Sequence, residues 1–245
     1  MTGSDHPGRW DFKPYRLTVA RILNEYQPAT VLDIACGEGW IKKCMKTPVF
    51  VHGLDFYESA PADYDLFSSF WMDEGVPDAC GLFDVAVCCE AIPYLQNFGI
   101  FFQSVNRHLK PGGRFIVSVP NSIYAASRID HVIQGFPRAN NYFVNTVADS
   151  HMPWLPLNFY QIRFLLGMNG FGDVQVHDVD EPKPKHAWEK LVGLISKAYI
   201  RRRLRKASTA DEQKMWTQAL TDQLVYGRRL VMSCLLYTSP SPRDS

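Results

Sequence analysis

The 245-residue sequence lacks several things that would assign it quickly. No apolar run approaches the ~20 residues that cross a bilayer. The first eleven residues are polar and carry no apolar leader core. The six cysteines are Cys36, Cys44, Cys80, Cys88, Cys89 and Cys234, and no two are spaced C-x-x-C. That usage implies free thiols and a reducing, cytoplasmic setting. Cys36 and Cys88 fall in expected strand ends, where a free thiol acts as a small apolar group. There is no H-E-x-x-H and no cluster of acids, and Asp63 and Asp65 stand too isolated for a metal site. The nucleophile elbow G-x-S-x-G is missing too. What the chain does have is enough to fold: 46% of residues are apolar and 13% aromatic.

The most informative stretch is Val31-Leu32-Asp33-Ile34-Ala35-Cys36-Gly37-Glu38-Gly39. An apolar run ends in small residues, and residues 40–46 read as the first turns of a helix. Strand, small-residue turn and helix form a nucleotide cradle, because backbone without Cβ can approach a ligand and helix N–H groups point at it. The dinucleotide fingerprint needs a small residue at position 42, which is Lys42. Twenty-two residues beyond Asp33, Asp55 closes a second strand over residues 49–55. A carboxylate there can accept from both hydroxyls of a ribose.

Two further segments follow in register. Phe83-Asp84-Val85 leads through Cys88-Cys89-Glu90 as a buried strand running into a helix. Leu109-Lys110-Pro111-Gly112-Gly113 breaks a helix over residues 98–109 and opens a fifth strand. In this order the four segments resemble the class I S-adenosylmethionine-dependent methyltransferases, with Ala35 in place of the more usual first glycine. The subset they resemble is that of bacterial glycan and quinone O-methyltransferases. The resemblance implies a Rossmann-like α/β fold, a seven-stranded, mostly parallel sheet with helices on both faces. It implies S-adenosyl-L-methionine as cofactor, held by Asp33, Ala35, Cys36, Gly37, Gly39, Asp55, Phe56, Met72, Asp73, Cys89 and Glu90. Trp71 stands where many relatives carry an acid for the adenine amino group, which leaves Met72 backbone or Asp73 for that contact. Pro93-Tyr94 replaces Glu-His, and Tyr94 could shape a substrate pocket.

The expected domain covers residues 1–233: a core over 28–181, a helical insertion over 182–225 and a last strand over 226–233. A helix is expected over 16–26, a third strand over 66–72, a long loop over 120–156, a helix over 157–169 and a sixth strand over 171–176. Residues 234–245 resemble a translated sequencing adapter and are expected to be a foreign tail that replaces the natural C-terminus.

Methyl transfer needs alignment, and a hydroxyl acceptor also needs a base. His151 is the preferred base, with Asp149 to orient it, because the resembled enzymes carry a histidine shortly before this helix. His131 is a weaker candidate, and Phe136, Tyr142 and Trp154 could wall an acceptor pocket. The expected acceptor is a glycan or small molecule, with a lipid-linked one included. The alternatives are a quinone or aromatic acceptor and a catalytically silent binding protein.

The net charge is +1, yet residues 183–206 hold nine Lys/Arg against the single acid Glu189. Trp188, Leu191, Val192, Ile195 and Tyr199 recur there at helical spacing. Such a helix either packs its apolar face on the domain or lies in a membrane interface, making the protein peripheral at the inner leaflet. Nucleic-acid binding at Arg201-Arg202-Arg203 lacks the interleaved aromatics it would need.

Overall fold

A computed structural model describes residues 13–57, 60–137 and 155–237. In chain order the elements are α1 (Pro14–Tyr26), β1 (Thr30–Ile34), α2 (Ile41–Cys44), β2 (Phe50–Asp55), β3 (Leu66–Ser69), β4 (Phe83–Cys89), α3 (Phe98–Arg107) and β5 (Leu109–Pro120). There follow α4 (Ala125–Gln134), α5 (Phe159–Met168), β6 (Phe171–His177), α6 (Ala187–Leu204), α7 (Ala210–Ala219), α8 (Asp222–Tyr226) and β7 (Arg229–Leu236). The strands form one sheet in the order β3-β2-β1-β4-β5-β7-β6. All neighbours are parallel except β7, which runs antiparallel to both β5 and β6.

Alternation along the central strands sorts the core into two layers, as strands buried on both faces require. Leu32 and Ile34 of β1, Ala86 and Cys88 of β4, and Phe115 and Val117 of β5 point to one face. There they pack on Phe101, Phe102 and Val105 of α3 and on Phe159, Ile162 and Leu166 of α5. Val31, Val85, Val87 and Ile116 point the other way and meet Val19, Ile22 and Leu23 of α1. Asp33 lies on this second face, with Val31. The amino edge is tied by Asp84, whose Oδ2 accepts from the Ala29 and Thr30 N–H groups and the Thr30 hydroxyl.

Six expectations need correction. The helix after the cradle is a single four-residue turn, Ile41–Cys44, and not a run over 40–46. The third strand stops at Ser69, and Met72–Glu74 is a 3-10 turn. The fourth strand does not run into a helix; a 3-10 turn, Ile92–Tyr94, intervenes before α3. Pro111-Gly112-Gly113 sits within β5 as a bulge, where pairing jumps from Phe83–Leu109 to Val85–Arg114 and Gly112 takes φ +75°. The expected loop over 120–156 contains α4. The last strand starts at Arg229 and continues to Leu236, three residues into the segment read as foreign, with Cys234 buried.

The insertion over 182–225 is helical: α6, α7 and the first four residues of α8. It is anchored by charge. Glu189 of α6 is fully buried, and its Oε1 accepts from Arg228 Nη2 at 2.6 Å. The Arg228 guanidinium also lies over the Tyr124 ring at 4.1 Å. Removing one member of a buried pair leaves the other charge desolvated, which costs about 3–5 kcal/mol. Arg228→Met should therefore lower the unfolding free energy from urea denaturation by an amount near the low end of that range. Adding Glu189→Gln should restore part of it; a double variant as unstable as the single one would show that the pair does not anchor the insertion.

Candidate functional site

The carboxyl ends of β1, β2 and β4 lie side by side, since all three are parallel. In such sheets the ligand crevice opens at that edge. At the end of β1 the chain reverses within five residues. Ala35, Gly37 and Gly39 take φ of +57°, +56° and +73°. The two glycines serve different ends. A Cβ on Gly39 would meet Pro61 Cβ at 2.6 Å and the Tyr64 ring at 3.0 Å, so that position is packed. A Cβ on Gly37 would meet nothing within 4 Å, so the turn presents open backbone there. Ala35 holds a left-handed conformation despite its Cβ, at a cost of about 1–2 kcal/mol. Cys36 is buried; its N–H donates to Leu54 O and its carbonyl accepts from the Gly39 N–H. Its thiol is pushed up by burial and by Asp33.

Asp33 is 1% exposed and sits under the turn. Tyr64 Oη donates to its Oδ2 at 2.5 Å and accepts from the Trp40 and Ile41 N–H groups at 3.2 and 3.3 Å. Sequence reading did not pick out Tyr64. It also expected the helix N–H groups to be free for ligand, and two of them are taken by this hydroxyl. Burial raises the Asp33 carboxyl to about 7, against the Tyr64 hydrogen bond and the charge of Arg16, which lower it.

Asp55, 5% exposed, bridges two turns. Its Oδ2 accepts from the Gly37 N–H at 2.7 Å and its Oδ1 from the Phe56 N–H at 2.8 Å. Beside it stand three exposed aromatics. The Phe56 ring centre lies 4.1 Å from that of Tyr57 and 5.8 Å from that of Trp71, stacked on the latter. Trp71 is 62% exposed, and the pattern search passed over it as a mere replacement for an acid. Met72 packs on the main core and its carbonyl accepts from the Gly75 N–H. Asp73 Oδ1 accepts from the Gln96 and Asn97 N–H groups at 2.7 and 2.6 Å, holding the chain where α3 begins. This oxygen is engaged in structure, a role the motif could not reveal.

At the end of β4, Glu90 takes φ +61°. Its Oε2 pairs with Arg229 Nε at 2.9 Å and its Oε1 accepts from the Ser118 hydroxyl at 3.2 Å. Burial raises the carboxyl and the Arg229 charge opposes this. Cys89 is raised by burial and by Asp33. Tyr94 is half-exposed next to this group, its phenol raised by burial and by Glu90. The structure thus gathers Asp33, Ala35, Gly37, Asp55, Phe56, Cys89 and Glu90 along one edge. Met72 and Asp73 lie after β3 on the loop that supports α3.

His151 and Asp149, with Tyr142 and Trp154, lie outside the described residues. His131 sits in the last turn of α4 and is exposed. Among the described residues, no group of three His, Cys, Asp or Glu could hold a metal ion. None of the helices among them is long and apolar enough to cross a membrane. A shallow recess beside Gly39, Trp40, Pro61 and Tyr64 encloses no room for a ligand, and Gly37 and Asp55 do not line it.

The raised Asp33 carboxyl has a sign that can be checked. The folded acid keeps its proton to about pH 7, whereas the unfolded one loses it near pH ~4. Its contribution to stability is complete below the lower value and is lost as pH rises through the upper one. Relative to the wild type, the urea midpoint of Asp33→Asn should rise steadily from pH 5 to pH 8. A difference independent of pH would refute the buried-acid reading.

Comparison with known proteins adds to this geometry. Residues 8–160 match a family model described as "Methyltransferase domain". The chain is similar to a ubiquinone biosynthesis O-methyltransferase of Xanthomonas oryzae, 24% identical over 177 residues, which are 63% of this chain and 72% of the relative. A Rickettsia conorii protein of the same name is 24% identical over 121 residues, covering 44% of this chain and 40% of the relative. The chain thus spans less than half the length of that relative. Among solved structures, an S-adenosylmethionine-dependent methyltransferase from Mesorhizobium loti superposes with TM-score 0.52 and 18% identity. The match covers 92% of this chain and 99% of that one, and at this identity it speaks for the fold.

Proposed function

The chain belongs to the methyltransferase-domain family, and on that premise we propose that it transfers a methyl group from S-adenosyl-L-methionine to a hydroxyl of a small-molecule acceptor. The observation that carries this is the junction of Asp55 with Gly37. A carboxylate has about four lone-pair positions, and Asp55 gives one oxygen to Gly37 and the other to Phe56 at short range. One position is open, and a second is met only by the Tyr57 N–H at 3.5 Å, which a ribose hydroxyl would replace. The open space above Gly37 would admit the methionine part against bare backbone. The Phe56–Trp71 pair offers a face on which adenine can stack. The residues therefore fit the cofactor.

When bound, the cofactor supplies an electrophilic methyl on a sulfonium. The chain's own work is to hold and align. Asp55 would orient the ribose, and the turn 35–39 would lie beneath the methionine chain. Glu90, held by Arg229 and Ser118, fixes the end of β4 at the acceptor side. His151 is proposed as the group that takes the acceptor's hydroxyl proton, with Asp149 orienting it. An imidazole with an ordinary pKa near ~6.5 suits a hydroxyl that becomes acidic only as the new bond forms.

For the acceptor, the names of similar proteins support a quinone-type aromatic hydroxyl. No observation on this chain favours a glycan. The reading extends to a lipid-borne acceptor because Trp188, Leu191 and Ile195 of α6 face outward.

Calorimetry tests the cofactor. The wild type should bind S-adenosylmethionine or its demethylated product, and Asp55→Ala should weaken binding by about 10- to 100-fold, from two charged hydrogen bonds of ~1.5 kcal/mol or less each. Absence of any signal with both ligands would end the proposal. For the base, His151→Ala should leave cofactor affinity intact and lower turnover on a hydroxylated aromatic by about 10²- to 10⁴-fold. His131→Ala should leave turnover near wild type. Transfer undiminished in His151→Ala would remove that residue as the base.

A further inference from the structure

A helix that packs on a domain buries its apolar stripe and shows its polar side to water. α6 does the reverse. Its inward residues are Glu189, Gly193, Ser196 and Ile200, three of them small or charged. The docking at Gly193 is so close that a Cβ there would fall 2.2 Å from the Tyr226 ring. Facing out are Trp188 at 46% exposure, Leu191 at 65%, Leu194 at 59%, Ile195 at 66% and Tyr199 at 59%. Spacings of three, four and seven residues place them on one arc of the helix. α4, which meets α6 where Ala125 and Tyr226 cluster with Val192, adds the exposed Val132 and Ile133. An apolar surface of this extent on a water-soluble face signals a partner.

Charge identifies the partner's chemistry. Lys190, Arg201 and Arg202 of the same helix, and Arg205 that caps it, are all exposed. The helix's own acid, Glu189, is buried and paired with Arg228. Lys197 is paired with Asp222. The outward face of α6 is therefore apolar and cationic and carries no acid of its own. Trp188 and Tyr199 suit a boundary that is oily on one side and wet on the other. A second copy of this face would bring like charges together. The matching surface is negative outside and apolar just beneath.

We propose that the outward face of α6 docks on the headgroup layer of an anionic membrane. Trp188, Leu191, Leu194, Ile195 and Tyr199 enter the acyl boundary, and Lys190, Arg201, Arg202 and Arg205 meet lipid phosphates. The helix lies flat and does not cross. The inference does not rest on methyl transfer and stands or falls separately from it.

The test is co-sedimentation of the full chain with vesicles of phosphatidylcholine, alone or mixed with phosphatidylglycerol. The wild type should pellet with the mixed vesicles and stay in solution with the neutral ones, and added salt should release it. Leu191→Ser/Ile195→Ser should abolish most of the binding. Arg201→Gln/Arg202→Gln should weaken it by roughly tenfold or more, at about fivefold per basic residue. All four side chains face solvent, so thermal melting should show both variants folded. A wild type that never pellets overturns the proposal, whether the stripe is covered by the chain's own residues or by nothing. So does equal pelleting of all three proteins, and so does a stripe-dependent dimer in analytical ultracentrifugation that excludes vesicles.

Discussion

The hydrogen bond from the Gly37 N–H to Asp55 is the constraint on which the site depends. It joins the turn after β1 to the end of β2, two strands that already lie side by side. It is charge-assisted, and such bonds are about twice as strong as neutral ones. Gly37 presents its N–H to Asp55 with φ at +56°. The same carboxylate receives the Phe56 N–H, so one side chain sets both the cradle and the start of the aromatic ledge. A parallel sheet makes this possible by bringing the carboxyl ends of adjacent strands to one edge.

Beneath that junction the site is electrostatically quiet. Burial raises the Asp33 carboxyl to about 7, so at acidic pH no fixed negative charge stands under the turn. Tyr64 links that acid to the first turn of α2, whose N–H groups would otherwise need water or ligand. Glu90 stands at the opposite side, held by Arg229. The edge thus carries two acids, Asp55 and Glu90, each tied to named partners.

Much of this could be read along the chain. β1 and β2 were legible because a strand buried on both faces is written as a continuous apolar run. The cradle was legible because left-handed φ favours glycine and an acid follows at the next strand's end. Other features were not. Tyr64 acts through its hydroxyl on Asp33, thirty-one positions away, and no local pattern marks it. Asp73 reads as a ligand residue until the chain near α3 folds back to use it. Pro111-Gly112-Gly113 carries the signal of a turn, and the sheet accommodates it as a bulge.

The sequence by itself determined the α/β class, the order of the strands, the small-residue turn after β1 and the acid at the end of β2, because each depends on periodicity or backbone conformation within a few residues. Only the tertiary structure decided which way α6 faces. Its composition allowed the large apolar residues to point in or out. The choice was made by Gly193 against Tyr226 and by Glu189 against Arg228: small and paired groups dock closer than Leu191 or Ile195 can. That left the apolar and basic residues together on the outside.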